Sequence, residues 1–319
     1  MRFAVCVCLI AAAACLPCVS ATAAQALNLD LGAGGGRILF VKDGDLWVLD
    51  TSGARPLASG GTFAQPSWAP DGTGLAYVYR GTNFADIFVT DDQGQNQTRL
   101  TNSQSTILDN NDWNFRPAWS PDGTQIAYVS DKSTAFPVLW LMSAIDGSGR
   151  HMLATPGLNQ VEAFDAVAWS PDGSQLALTV FTQPGPTQIA LLPIGATGRQ
   201  SAGHTLTDLP GGALDPAWAP DGSWLAFAGR DGYAVEMFAV QPDGTSVTKL
   251  TSDGQLARAP AWSPDGRHLA YLSNKTGYFE VWLVDVQADA SGALVTSSPP
   301  RQLTQDLHLD ATSGLSWGR

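Results

Sequence analysis

The stretch "PAWSPDGTQIAYVSD", Pro117 to Asp131, decides the fold. A short apolar segment ends on Trp119, Pro121-Asp122-Gly123 reverses the chain, and a second apolar segment runs through Ile126-Ala127-Tyr128-Val129. Pro presets φ, Asp can bond the local backbone, and Gly accepts the left-handed conformation that branched residues resist. The pair therefore reads as two strands joined by a tight turn. Close copies begin at Pro66 ("PSWAPDGTGLAYV"), Val167 ("VAWSPDGSQLALT"), Pro216 ("PAWAPDGSWLAFA") and Pro260 ("PAWSPDGRHLAYL"). Their tryptophans, Trp68, Trp119, Trp169, Trp218 and Trp262, lie 51, 50, 49 and 44 residues apart. Periods of this size mark propellers or solenoids.

Each copy continues into two further apolar segments, "DIFVTD" and "TRLT" after the first, "FEVWLVD" and "RQLT" after the last. Four short strands joined by turns make one antiparallel blade. In the second strand large and small apolar residues alternate, as in Leu75-Ala76-Tyr77, without a polar face. Both faces must then be covered by other sheets. Pro66, Pro117, Pro216 and Pro260 stand two residues before their Trp, and Pro cannot donate to a central ladder, so the first strand is an edge. In a ring of blades that edge lines the central channel, and the tryptophans wedge between blades.

The chain ends complete the count. "RILFVKDGDLWVLDTSGARPLAS" from Arg37 matches the last three strands of a unit but has no Trp-bearing strand ahead of it, whereas "GLSWGR" at the other terminus has nothing after it. If Trp317 supplies the missing inner strand, residues 37–319 form an all-β, six-bladed propeller of four-stranded antiparallel blades. N- and C-terminal strands then share one blade, and no sheet edge is left open between first and last.

Residues 1–23 read as a signal peptide, with Arg2, an apolar run too short for a confident membrane span and an Ala21-Thr22-Ala23 cleavage pattern. Residues 24–36 form a short linker. Cys6, Cys8, Cys15 and Cys18 all fall in the leader, which excludes a disulfide framework after cleavage there. "AAAAC" ending at Cys15 is the alternative, a lipid-attachment site. The expected compartment is periplasmic or extracellular. Removing Arg2 from the 17 Lys+Arg leaves 16 against 29 Asp+Glu, a net −13, and a polyanion such as nucleic acid is repelled by that field. No later stretch resembles a membrane span.

The repeat resembles that of the TolB-type propellers, in which a "PxWSPDG" strand is followed by "IAY" or "LAF", an "IW" or "IF" strand and "LT". The resemblance covers residues 37–319. It implies an exported bacterial protein that works through protein contacts in the periplasm.

A propeller does not name a function. There is no Gly-x-Ser-x-Gly elbow. His151, His204, His268 and His308 lack the short spacing of a metal pair and read as ordinary surface residues. No cofactor is expected, and the only metal candidate is a calcium-like run through Asp109, Asn111 and Asp112, which lacks the Gly and distal Glu of a helix-loop-helix site. The five Pro-Asp-Gly aspartates are turn residues.

If those turns share one face, the opposite face collects the irregular loops, where binding usually resides. Just before the inner-strand Trp the copies stop matching: Gln65, Arg116, Asp165, Asp215 and Arg258, with Asp310 from the closing blade. With Trp113, these are the candidate binding residues at the channel mouth; the alternative for the charged ones is a self-satisfied ring of ion pairs. The expected partner is an envelope protein or peptide, held by a monomer. The competing reading is a carbohydrate-active or other hydrolytic propeller in which Asp165 and Asp215 divide acid and base roles.

Overall fold

Alternation of large and small side chains along the second strand sets how neighbouring sheets stack. In the computed structural model, described for residues 31, 35–107, 111–155, 157–158, 160–195 and 202–319, Leu75 and Tyr77 pack with Leu39, Val41, Leu46 and Val48 of the preceding sheet. Ala76, on the other face, leaves room for Ile126 and Tyr128 of the following one. The same exchange recurs where Leu225 and Phe227 meet Ile189 and Leu191, while Ala226 faces Trp262, Leu269 and Tyr271. Repeated around a circle, large-on-small stacking makes six antiparallel sheets, with no helix among the described residues. The segment expected to be a leader, including Cys15, lies outside the described residues.

From channel to rim, blade 1 comprises Ser316–Gly318, Arg37–Lys42, Asp45–Asp50 and Gly53–Ala58. The inner strands of blades 2 to 6 are Phe63–Trp68, Asn114–Trp119, Val161–Trp169, Ala213–Trp218 and Ala257–Trp262, each at the edge of its sheet, as the prolines of four of them require. Blade 6 departs from four strands, because Glu280–Ala288 is long enough to pair with Arg301–Gln302 and also with an additional strand, Leu294–Thr296.

The clasp forms as the sequence predicts: Arg37, Ile38 and Leu39 pair with Gly318, Trp317 and Ser316. The Trp317 indole N–H donates to the Gly35 carbonyl at 3.2 Å, and the Ser316 hydroxyl accepts the Trp68 amide at 2.9 Å, tying the closing strand to both neighbours. Gly318 is required there, since a Cβ would lie 2.6 Å from Trp68 Cγ.

A second repeated device carries the loops of the far face. Asp86, Gln188, Glu236 and Glu280, all buried at the start of a third strand, bond Thr101, Thr207, Thr251 and Thr304. Each threonine hydroxyl also accepts the amide of the residue after the acid or amide. The same side-chain group also holds amides of the next inter-blade turn, as Glu280 Oε1 holds Leu307 and His308. Asp45 does so in blade 1 through Gly60 and Gly61. Blade 3 has Val138 and Ala154 at the corresponding positions, both partners having gone together.

Candidate functional site

Every inner strand of blades 2 to 6 slips register just before its Trp: between Ala64 and Ser67, Phe115 and Ala118, Phe164 and Val167, Leu214 and Ala217, and Arg258 and Ala261. In four of these strands proline makes this local, because it offers no ladder donor and bars the residue before it from the right-handed helical region, whereas blade 4 slips with Val167 in that place. In four blades that preceding residue turns left-handed: Gln65 (φ 49°), Arg116 (φ 56°), Asp215 (φ 53°) and Ala259 (φ 52°). For a residue with a Cβ this conformation costs about 1–2 kcal/mol. Such bulges re-aim side chains out of the strand's alternation, and here Gln65, Arg116 and Asp215 reach the channel wall.

Five of the candidate residues meet there. The Gln65 side-chain carbonyl accepts the Arg116 amide at 2.8 Å. Arg116 Nη2 lies 3.4 Å from both Asp165 Oδ2 and Asp215 Oδ1. Arg258 grips Asp215 with Nε at 2.6 Å and Nη2 at 3.3 Å, and the Ala259 amide adds a bond of 3.2 Å to the same carboxylate. Asp215 is buried; that alone would raise its pKa, but the charges of Arg116 and Arg258, with hydrogen bonds from Arg258 and the Ala259 amide, prevail and hold it below the usual carboxylate range. Two arginines and two aspartates thus form a neutral network across the pore.

Next to this network is a cavity of about 440 Å³. Its lining runs from Gln65, Arg116 and Asp215 at one end to Pro70, Pro171, Pro220 and Pro264 of the Pro-Asp-Gly turns at the other, with inner-strand tryptophans between. The cavity therefore reaches toward the turn face, with the charged network on its loop-face side.

The other candidates stand apart. Asp310 is exposed and caps its own turn, accepting the Thr312 amide at 2.8 Å. Trp113 is 39 % exposed three residues before Arg116, its amide donating to Asp131 at 2.7 Å. Asp112 is paired with Lys132 at 2.7 Å, and the Asn111 carbonyl accepts the Ser105 amide at 2.6 Å, so both calcium candidates that can be placed are engaged with protein groups. Asp109 lies outside the described residues.

One histidine differs from the surface reading: His268 is half-buried with Nδ1 2.7 Å from Asp285, whereas His308 is exposed and stacks on Tyr278 with ring centroids 3.9 Å apart. The Pro-Asp-Gly aspartates cap their own turns, as Asp71 does with the Thr73 amide at 3.0 Å. The Thr73 amide at Asp71, and the Ser120 and Ser170 hydroxyls at Asp122 and Asp172, hold these carboxyls below their ordinary range.

Composition did not reveal how exposed apolar side chains are distributed. Of the ten large ones among the described residues, Ile107, Trp113, Phe136, Phe181, Tyr233, Leu256 and Tyr278 sit on strand-two-to-three loops, strand ends or inter-blade connections of one face. That is the face opposite the Pro-Asp-Gly turns.

A family model described as the TolB beta propeller domain matches residues 102–302, well over half the chain. The chain belongs to this family. Among curated relatives of this TolB-family propeller, the uncharacterized peptidase YuxL of Bacillus subtilis is 26% identical over 201 residues, covering 51% of this chain and 29% of that protein. The Tol-Pal system protein TolB of Bordetella pertussis is 32% identical over 172 residues, covering 54% of this chain and 35% of that protein. The chain thus spans only about a third of the length of either relative. Among solved structures, TolB from Acinetobacter baumannii superposes with a TM-score of 0.67 at 18% identity, covering 89% of this chain and 66% of that one, a likeness of fold. No helix among the described residues is long and apolar enough to cross a membrane.

Proposed function

We propose that this TolB-family propeller is a non-enzymatic module of the bacterial envelope that captures a protein or peptide on its loop-rich face. One observation carries the reading: seven of the ten exposed large apolar side chains among the described residues collect on that face. Exposed apolar patches mark interaction sites, and Trp and Tyr dominate their energetics. The charged network beneath gives the surface a rigid centre, and the acid-threonine clamps hold most of the loops in register. Similarity to a Tol-Pal system protein supports an envelope setting with protein partners, and the expected leader supports export to the periplasm.

The test is affinity capture from native envelope extract with the wild-type chain and with a Trp113→Ala, Phe136→Ala double variant. The variant should lose at least about tenfold in capture while keeping a cooperative thermal transition, since Trp113 is 39% and Phe136 56% exposed. Equal capture by the two proteins would remove this face from consideration.

The similarity to a peptidase favours a second reading, hydrolysis. Asp215 is poorly suited to serve as its acid, because two arginines keep it ionised. Screening on glycan and peptide libraries separates the readings; turnover that Asp165→Asn abolishes would favour the enzyme.

A further inference from the structure

The cavity on the Pro-Asp-Gly side has an unbalanced inventory of hydrogen-bonding groups. Among its lining residues, the buried side-chain atoms without a partner are Arg116 Nε, Trp169 Nε1 and Trp218 Nε1, and all three are donors. Their repeat equivalents are occupied: Trp119 Nε1 donates to the Ser67 carbonyl at 3.2 Å and Trp262 Nε1 to Ala217 at 3.1 Å. The side-chain acceptors at the same end are already engaged. Asp215 takes bonds from Arg258 and the Ala259 amide and faces Arg116, while the Gln65 carbonyl takes the Arg116 amide. Native interiors seldom leave buried donors unpaired, so this end of the cavity is short of acceptors.

Arg116 is the centre of that deficit. A guanidinium offers five N–H donors, yet within the described residues its side chain makes only the two long contacts of Nη2, at 3.4 Å, to Asp165 and Asp215. Arg258, by contrast, is committed to Asp215 at 2.6 Å and is not part of the cavity lining. Arg116 is therefore the cation with capacity left at the network end of the cavity, aimed there by a left-handed backbone, while the lining's other arginine, Arg319, lies by Gly72 at the Pro-Asp-Gly end. The walls above it are Pro66, Pro117, Trp119, Trp169 and Trp218, rigid apolar rings around a space of about 440 Å³. That volume lies within the roughly 300–1,000 Å³ of small-ligand pockets.

We propose that this chamber is a second binding site, entered from the Pro-Asp-Gly face, that takes a carboxylate carried on a compact apolar body. The carboxylate sits on Arg116 as a charge-assisted pair, and proline rings or aliphatic groups lie against the indole and pyrrolidine walls. Such a group is presented by the C-terminus of an apolar peptide and also by a free aliphatic acid. The site does not depend on partner capture by the loop-rich face.

The probes are N-acetyl-Pro-Leu with a free carboxylate, its C-terminal amide, and acetate, titrated into the full chain with ¹⁵N-labelled tryptophan indoles. The free peptide acid should bind saturably, shift the Trp169 and Trp218 indole resonances and leave that of Trp113 in place; the amide should bind at least tenfold more weakly. Competition by acetate would assign the site to the carboxylate alone, and its absence to the peptide C-terminus. Arg116→Gln should lose binding at least tenfold, and wild-type resonances supply the reading should that variant fail to fold. Equal binding of acid and amide, shifts confined to Trp113, or no saturable response because water alone satisfies the donors, would each overturn the proposal.

Discussion

Replacing Asp215 by Asn probes the network on which the pore depends. Asn tolerates the left-handed conformation required at this position (φ 53°) and keeps nearly the same volume, so the change is one of charge. In wild type the carboxylate answers Arg258 Nε at 2.6 Å, Arg116 Nη2 at 3.4 Å and the Ala259 amide at 3.2 Å, with its side chain 5% exposed. The variant leaves two largely buried guanidiniums with Asp165 as their nearest carboxylate, itself 35% exposed. Removing one member of a buried ion pair costs about 3–5 kcal/mol, mostly because the other charge is stranded. At about 2 °C per kcal/mol for a chain of this size, the melting temperature should fall by roughly 6–10 °C. Urea denaturation, followed by tryptophan fluorescence, measures the same quantity. Arg258→Gln introduced on top of Asp215→Asn should then cost far less than in wild type, because it removes the stranded charge. Acid titration adds a signed check. The folded pKa of Asp215 is depressed, so its stabilisation is present above the unfolded value of about 3.9 and fades as pH falls through the folded value. Wild type should lose this increment below about pH 4, and the Asn variant has none to lose. A loss under about 1 kcal/mol, or identical acid profiles, would show that the arginines find other partners and would refute the reasoning.

Two further outcomes follow from the blade architecture. Thr251→Val should destabilise by about 1–3 kcal/mol in urea, since Glu236 and the Met237 amide lose a shared hydroxyl in a buried site, whereas Ala154→Thr should bring no gain because Val138 offers it no carboxylate. Trp317→Ala should cost about 3 kcal/mol and raise the tendency to associate, measured by light scattering, because it weakens the closing strand and loosens the edge at Ile38.

The repeated tryptophans, the Pro-Asp-Gly turns and the unpaired terminal segments were enough to read off the six-bladed ring and its clasp, because each is a local signal tied to a strand, a turn or an edge. The clamp between third-strand acids and the threonines of "LT" was also written in the chain, in "DIF", "EMF" and "EVW", but its partners lie 15 to 24 residues apart and each alone looks like surface polarity. Asp310 shows the converse: read as a pore residue approaching from the closing blade, it turns instead to its own loop, which only backbone geometry could decide.

Sequence by itself determined the blade, its number and the channel edge, since hydrophobic period and turn chemistry act over a few neighbouring residues. Tertiary structure alone decided that Arg116, Asp165, Asp215 and Arg258, drawn from four different blades, bond to one another, and that Arg116 retains donors toward a chamber on the opposite side from the loops. The physical reason is that pairing depends on ångström-scale distances set by left-handed bulges and by the closing of the ring, and neither spacing nor composition encodes which acceptor each guanidinium meets.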